Sequence, residues 1–180
     1  RNNRHLAAAG CIVDVIDDIG QHIVTWETAT EHETIMWRLI LGNVIAHPSC
    51  IFRTDAVRQI GGYDSTIPYA QDYDLWVRLV TAGSRLGNIP HRLFSYRQHP
   101  AQISTEKATE QSLIASHIAQ RYTQWLIEEP VELEALNNLR ALFKRLPNRI
   151  NPKIWPQTQE LLFKINRSLS THISKNEHQR

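Results

Sequence analysis

The chain has 180 residues, 42% hydrophobic and 21% charged, with a formal net charge of +2. That balance excludes a disordered or low-complexity protein, and no apolar run approaches the roughly 20 residues that cross a bilayer as a helix. The first ten residues, RNNRHLAAAG, carry charge without the apolar core of a secretory signal.

Taken in chain order, CIVDVIDDIGQHIVTW predicts two short strands around a turn. Asp17 and Asp18 are turn formers ahead of Gly20, so with Asp14 they read as solvated turn carboxylates and not as an acidic site. TEHETIMWRLILGN predicts a helix with Thr30 at its N-cap, Glu33 three residues on, and Gly42-Asn43 as its stop. VIAHPSCIF predicts a buried strand interrupted at His47-Pro48, with His47 a turn or core histidine. RTDAVRQIGG predicts a short helix halted by paired glycines, which adopt a left-handed cap without a β-carbon in the way.

A loop, YDSTIPYAQ, leads into a helix predicted over residues 73–82, with Leu75, Trp76, Leu79 and Val80 on one face. SRLGNIP and RLFSYRQH predict two further short strands. Beyond residue 104 the pattern is helical throughout. Ile114, Ile118, Tyr122 and Trp125 form one stripe; Leu133, Leu136, Phe143 and Leu146 form a second, whose helix is expected to begin near Pro130. A third helix is predicted over residues 156–169. The pattern implies an α/β body over residues 1–104 and a helical C-terminal extension over 105–180.

From Lys144 onward eight Lys and Arg oppose two Glu, so the tail carries +6 and the remainder −4. With the stripe Leu161, Leu162, Ile165 and Leu169, that balance predicts either weak, peripheral attachment to an anionic membrane surface or a solvated helix packed on its own domain. A nucleic-acid partner is not expected, because Asn, Gln and Ser dilute the charge and the base-stacking platform is poor. Cys11 and Cys50 lack metal or redox spacing, which favours reduced thiols and a cytoplasmic setting. The chain opens on Arg1, not Met, as expected of a processed product or a fragment.

The chemistry-bearing stretch is Asp72-Tyr73-Asp74. An Asp-x-Asp metal clamp needs a stiff base, such as a strand end, to aim both carboxylates at one ion. Here a loop precedes the triplet and a helix follows. Asp72 then shares the inward face with Trp76, while Asp74 reaches Arg78 at i+4, an exposed pair worth about 0.3–0.5 kcal/mol. The carboxylates diverge, which disfavours a shared metal. Asp72 remains either a helix N-cap or a general base that meets a substrate hydroxyl. His99, beside Arg97 at a strand end, reads either as a surface loop histidine or as a metal or phosphate contact.

From about Val44 to Ser104 the sequence resembles the second half of a bacterial family-2 glycosyltransferase catalytic domain, of the GT-A fold. NVIAHPSCIFRTDAVRQIGGYD, AQDYDLWVRLV and LGNIPHRLFSYRQHPAQIS carry the resemblance in order, with GCIVDVIDDIG upstream. The resemblance implies an inverting transfer of sugar from a nucleotide-sugar donor to a saccharide or lipid-linked acceptor in surface polysaccharide or glycolipid synthesis. Within it, Asp72 is the catalytic base, and Gly61, Gly62, Tyr63 and Trp76 belong to the acceptor side. His99 and Arg97 fall in a stretch that contacts donor phosphate or metal in some relatives.

The family pattern has Glu-Asp where this chain has Gln71-Asp72, so the first acid is replaced and the second kept. That replacement leaves a second reading, a non-catalytic binding or regulatory module that retains the fold. The family's nucleotide-binding half, with its metal-binding Asp-x-Asp, has no counterpart in this sequence. A divalent cation, Mn or Mg, is therefore expected to be held mainly by that half. Inversion is one displacement at the anomeric carbon and needs one base, whereas the retaining route needs a carboxylate nucleophile.

Overall fold

A computed structural model of the chain describes residues 6–98 and 107–177. Its sheet is built around β1 (Leu6–Ile16). The second half of β1 pairs antiparallel with β2 (His22–Trp26), Val15 opposite Val24, and the first half pairs antiparallel with the short β3 (Ile51–Phe52). Along its other edge β1 runs parallel to β4 (Arg85–Arg97), from Leu6 opposite Arg85 to Ile16 opposite Arg97. The predicted β1–β2 turn forms for the expected reason. Asp17 Oδ1 accepts the Ile19 and Gln21 amides at 3.1 and 2.7 Å, and Gly20 takes a φ of 91°.

The two strands predicted over 84–90 and 92–99 are one strand. Pro90 has no N–H to give the ladder, so the register jumps there, Ile89 facing Cys11 and Arg92 facing Ile12. Pairing resumes beyond the irregularity. The buried strand expected in VIAHPSCIF is also corrected. Val44 and Ile45 are buried, but His47–Ser49 form a 3₁₀ turn with Pro48 at its start, and only Ile51–Phe52 pair, both exposed.

Gly10 in β1 is held against two neighbours. A β-carbon there would lie 2.6 Å from Asn88 Oδ1 and 2.8 Å from Ile45 Cγ2. Asn88 has little room to yield, since its Nδ2 already donates to the Ala29 and Val44 carbonyls at 2.7 and 3.1 Å. Gly10→Ala is expected to destabilise the chain by about 1–3 kcal/mol through overpacking. A urea midpoint equal to that of the wild type would contradict this close approach.

Helix α1 (His32–Leu41) starts one residue later than Thr30 capping requires; Glu31 occupies the cap position and no side chain caps it. The helix buries Ile35, Met36, Leu39 and Ile40 in the core. Glu33 in its first turn meets Arg85 of β4 at 2.8 Å. Helix α2 (Thr54–Gln59) ends as predicted at Gly61 and Gly62, with φ of 85° and 74°. Helix α3 (Gln71–Thr81) begins before the expected residue 73, at Ala70 in the left-handed conformation, and is buried nearly all round.

That burial comes from α4 (Ala108–Ile127), which covers α3 and α1. Tyr122 reaches across to donate to the Met36 carbonyl at 2.9 Å, and Tyr73 of α3 donates to that of Leu39. Helix α5 (Leu133–Phe143) starts three residues after Pro130, so the proline is not in its first turn. Its buried face is Ala135, Leu136 and Leu139; Phe143 and Leu146 of the predicted stripe are exposed, because the helix stops at Phe143 and Arg145 turns the chain with a φ of 55°.

Helix α6 (Trp155–Glu177) is longer than predicted. It buries Leu161, Ile165 and Leu169 against the same core. Three of the four residues of the apolar stripe expected at a membrane surface are therefore packed into the core, with Leu162 partly buried beside them. Buried side chains from both sides of residue 104, from Ala7 to Leu169, form one cluster.

Candidate functional site

The two carboxylates of the triplet do diverge, but with their environments exchanged relative to expectation. Asp74 is the fully buried one. Its Oδ2 accepts Arg78 Nε at 2.6 Å, and its Oδ1 accepts Arg121 Nη2, contributed by α4. The remaining nitrogens of Arg78 donate to the carbonyls of Ile60 (2.9 Å) and Gly62 (2.7 Å). A buried carboxylate thus holds two guanidiniums, one of which fastens the glycine loop ahead of Tyr63. The i+4 pair exists, but it is not the exposed, dispensable pair inferred from spacing.

Asp72 sits half-buried in the first turn of α3. Ala70 occupies the cap position, so Asp72 is not the N-cap. One oxygen, Oδ1, still satisfies a free helix N–H, that of Tyr73, at 2.8 Å. The other, Oδ2, accepts Nδ2 of Asn43 at 2.5 Å. The two aspartates have no partner in common, and among the described residues no group of three or more His, Cys, Asp or Glu is arranged to hold a metal ion.

Asp72 borders an open cleft of about 650 Å³, whose other walls include His47, Tyr63, Asp64, Gln71 and Gln111. The 3₁₀ turn presents His47, whose Nε2 lies 2.7 Å from the Tyr63 hydroxyl, the rings meeting edge-on. Gln111 comes from α4, so the helical extension supplies part of the wall. Burial, followed by the charge of Asp72, pushes the Cys50 thiol up; burial pushes the Tyr63 phenol up, with Cys50 and Asp72 adding to it. Both groups thus feel the Asp72 carboxylate across the cleft. The lining mixes hydrogen-bonding side chains with Ile67, Pro68 and Ala70, a combination suited to a hydroxyl-rich ligand.

The remaining sequence candidates are placed unequally. Tyr63 is in the cleft wall. Gly61 and Gly62 shape the loop that carries it, and no atom lies within 4 Å of a β-carbon built on either. Trp76 is fully buried behind His47, ring centroids 6.4 Å apart, and supports the cleft without offering it a surface. Arg97 donates to the carbonyls of Asp17 and Asp18, bracing the β1–β2 turn. His99 lies outside the described residues. Sequence reasoning missed Asn43, read only as a helix stop, and passed over His47 and Gln111. His47-Pro48 was a turn signal; nothing local marked the other two.

Gln71, where the family pattern has an acid, donates Nε2 to the Pro68 carbonyl at 2.8 Å. An ionised carboxylate has no proton for that bond, so the amide suits this loop.

No family model matches the sequence. Among curated proteins, the chain is 28% identical over 120 residues to the O-antigen biosynthesis glycosyltransferase WbnJ of Escherichia coli. The matched stretch covers 66% of this chain and 44% of that relative, so the chain spans under half of its length. The similarity supports a glycosyltransferase relationship, and the mixed α/β architecture is compatible with it.

Proposed function

We propose that the chain is the acceptor side of an inverting, family-2-type glycosyltransferase of GT-A fold, acting in surface polysaccharide or glycolipid synthesis. The observation that carries this reading is Asp72, a half-buried carboxylate fixed at the edge of an open cleft and, among the described residues, in no ion pair. A general base needs that combination of fixed aim and access to a substrate hydroxyl. A saccharide or lipid-linked acceptor enters the cleft between the Tyr63 loop and α4, and its attacking hydroxyl gives its proton to Asp72. The oxygen then displaces the nucleotide diphosphate from the anomeric carbon in one step. The likeness to an O-antigen glycosyltransferase supports the substrate class.

The diphosphate of the nucleotide-sugar donor needs charge neutralisation as it leaves, the role a divalent Mn or Mg ion fills in such transfers. Among the described residues no cluster of His, Cys, Asp or Glu fits that ion, and we assign its ligands mainly to the nucleotide-binding half of the family pattern. Arg97, committed to the β1–β2 turn, is not assigned to the donor either. Among the described residues no helix is long and apolar enough to cross a membrane. The buried Cys11 and the raised thiol of Cys50 suit the reduced, cytoplasmic setting in which we place the reaction.

The test is calorimetry of the chain with nucleoside diphosphates and Mn or Mg. Binding no tighter than millimolar, about −4 kcal/mol, is expected of an acceptor side. Micromolar, metal-dependent binding would overturn the assignment.

A further inference from the structure

We infer that Asn43 is the positioning residue of the Asp72 base. The inference rests on the reading of Asp72 given above, and extends it to a side chain that neither the sequence pattern nor the similarity to a glycosyltransferase singles out. Asn43 follows α1, 29 residues before Asp72, and is itself exposed. Its amide is oriented from both ends. Oδ1 accepts the Ile45 N–H at 3.4 Å, and Nδ2 donates to Asp72 Oδ2. An ionised carboxylate only accepts, so the NH₂ end must face it.

With the Tyr73 N–H on Oδ1, each carboxylate oxygen has one fixed donor. Asp72 can no longer rotate about its last torsion without breaking one of them, while each oxygen keeps lone-pair capacity for an incoming hydroxyl. Tyr73 fixes the carboxylate from within the helix, and Asn43 fixes it from the segment after α1. The base is therefore aimed from the segment that follows α1 as well as from α3, and the Tyr73 hydroxyl on the Leu39 carbonyl ties the two helices together. Asn43 is exposed, so little of the core depends on it.

The experiment uses the full-length protein and its transfer reaction, with Asn43→Ala, Asn43→Asp and Asp72→Asn singly and combined. Asn43→Asp keeps the shape, deletes the donor and sets a like charge against Asp72. Asn43→Ala is expected to lower kcat about 10–100-fold at unchanged donor KM, with Asn43→Asp at least as severe. In the Asp72→Asn background the same substitutions should change turnover less than about twofold, because the group they aim is gone. Wild-type turnover in both Asn43 variants, or an equal loss in the Asp72→Asn background, overturns the inference while leaving the base intact. Full activity in Asp72→Asn removes the base and Asn43's role together.

A second measurement needs no turnover. In NMR spectra of this chain, the Asn43 side-chain amide protons should lie downfield and exchange slowly, and Asp72→Ala should abolish both properties. An Asn43 amide indifferent to Asp72→Ala overturns the inference on its own.

Discussion

Replacing Asp72 with Asn in the full-length protein is expected to lower kcat by about 10²–10⁴-fold with little change in donor affinity. The substitution keeps volume and leaves an oxygen for the Tyr73 N–H, so the first turn of α3 loses little. What disappears is the capacity to take a proton. On the proposed role, the substitution costs the chemical step and not donor binding. A purely structural Asp72 predicts the reverse, a stability loss of some tenths of a kcal/mol and unchanged turnover.

Asp74→Asn is expected to act on stability, by about 3 kcal/mol, lowering Tm by about 6–12 °C for a chain of this size. The Asp74 side chain is 1% exposed and receives a guanidinium on each oxygen. An amide is neutral and turns an N–H toward one of the two donors, leaving two guanidiniums together without a counter-charge. Arg78 also loses the anchor from which it holds the Ile60 and Gly62 carbonyls, so the Tyr63 loop loosens and acceptor KM rises. Thermal unfolding of the chain checks the first effect; a loss below about 1 kcal/mol would contradict the buried network.

This second expectation reverses the one drawn from spacing, and the reason shows what a sequence conceals. Asp74 and Arg78 are four apart, and that local relation was legible. Arg121 is 47 residues away, on a helix whose own pattern reads as an appendage. Nothing in α3 records that α4 covers it, so α3 reads as amphipathic when it is buried nearly all round. The same limit applies to Asn43, whose role depends on where the end of α1 meets the start of α3.

Local signals fared better. The β1–β2 turn follows from Asp17 and Gly20, and the end of α2 from the conformational freedom of Gly61 and Gly62. Two strands were expected around Pro90 where there is one, because sequence cannot tell an interruption of a ladder from its end; β1 decides whether pairing resumes. Periodicity misled at Phe143 and Leu146, where the apolar spacing outlasts the helix that would bury it. In the site, Asp72 and the Tyr63 loop were legible through a family resemblance. The walls contributed by His47 and Gln111 were not, since they lie 25 and 39 residues from Asp72 along the chain and meet it only across the cleft.

The central claim is that Asp72 performs the proton transfer of a glycosyl displacement at an acceptor site. Single-turnover transfer from a prebound nucleotide-sugar, in full-length wild type and Asp72→Asn at saturating acceptor, tests it most directly. The account predicts equal donor and acceptor occupancy in both proteins and a transfer rate at least about 100-fold lower in the variant. Transfer at the wild-type rate by Asp72→Asn would contradict it.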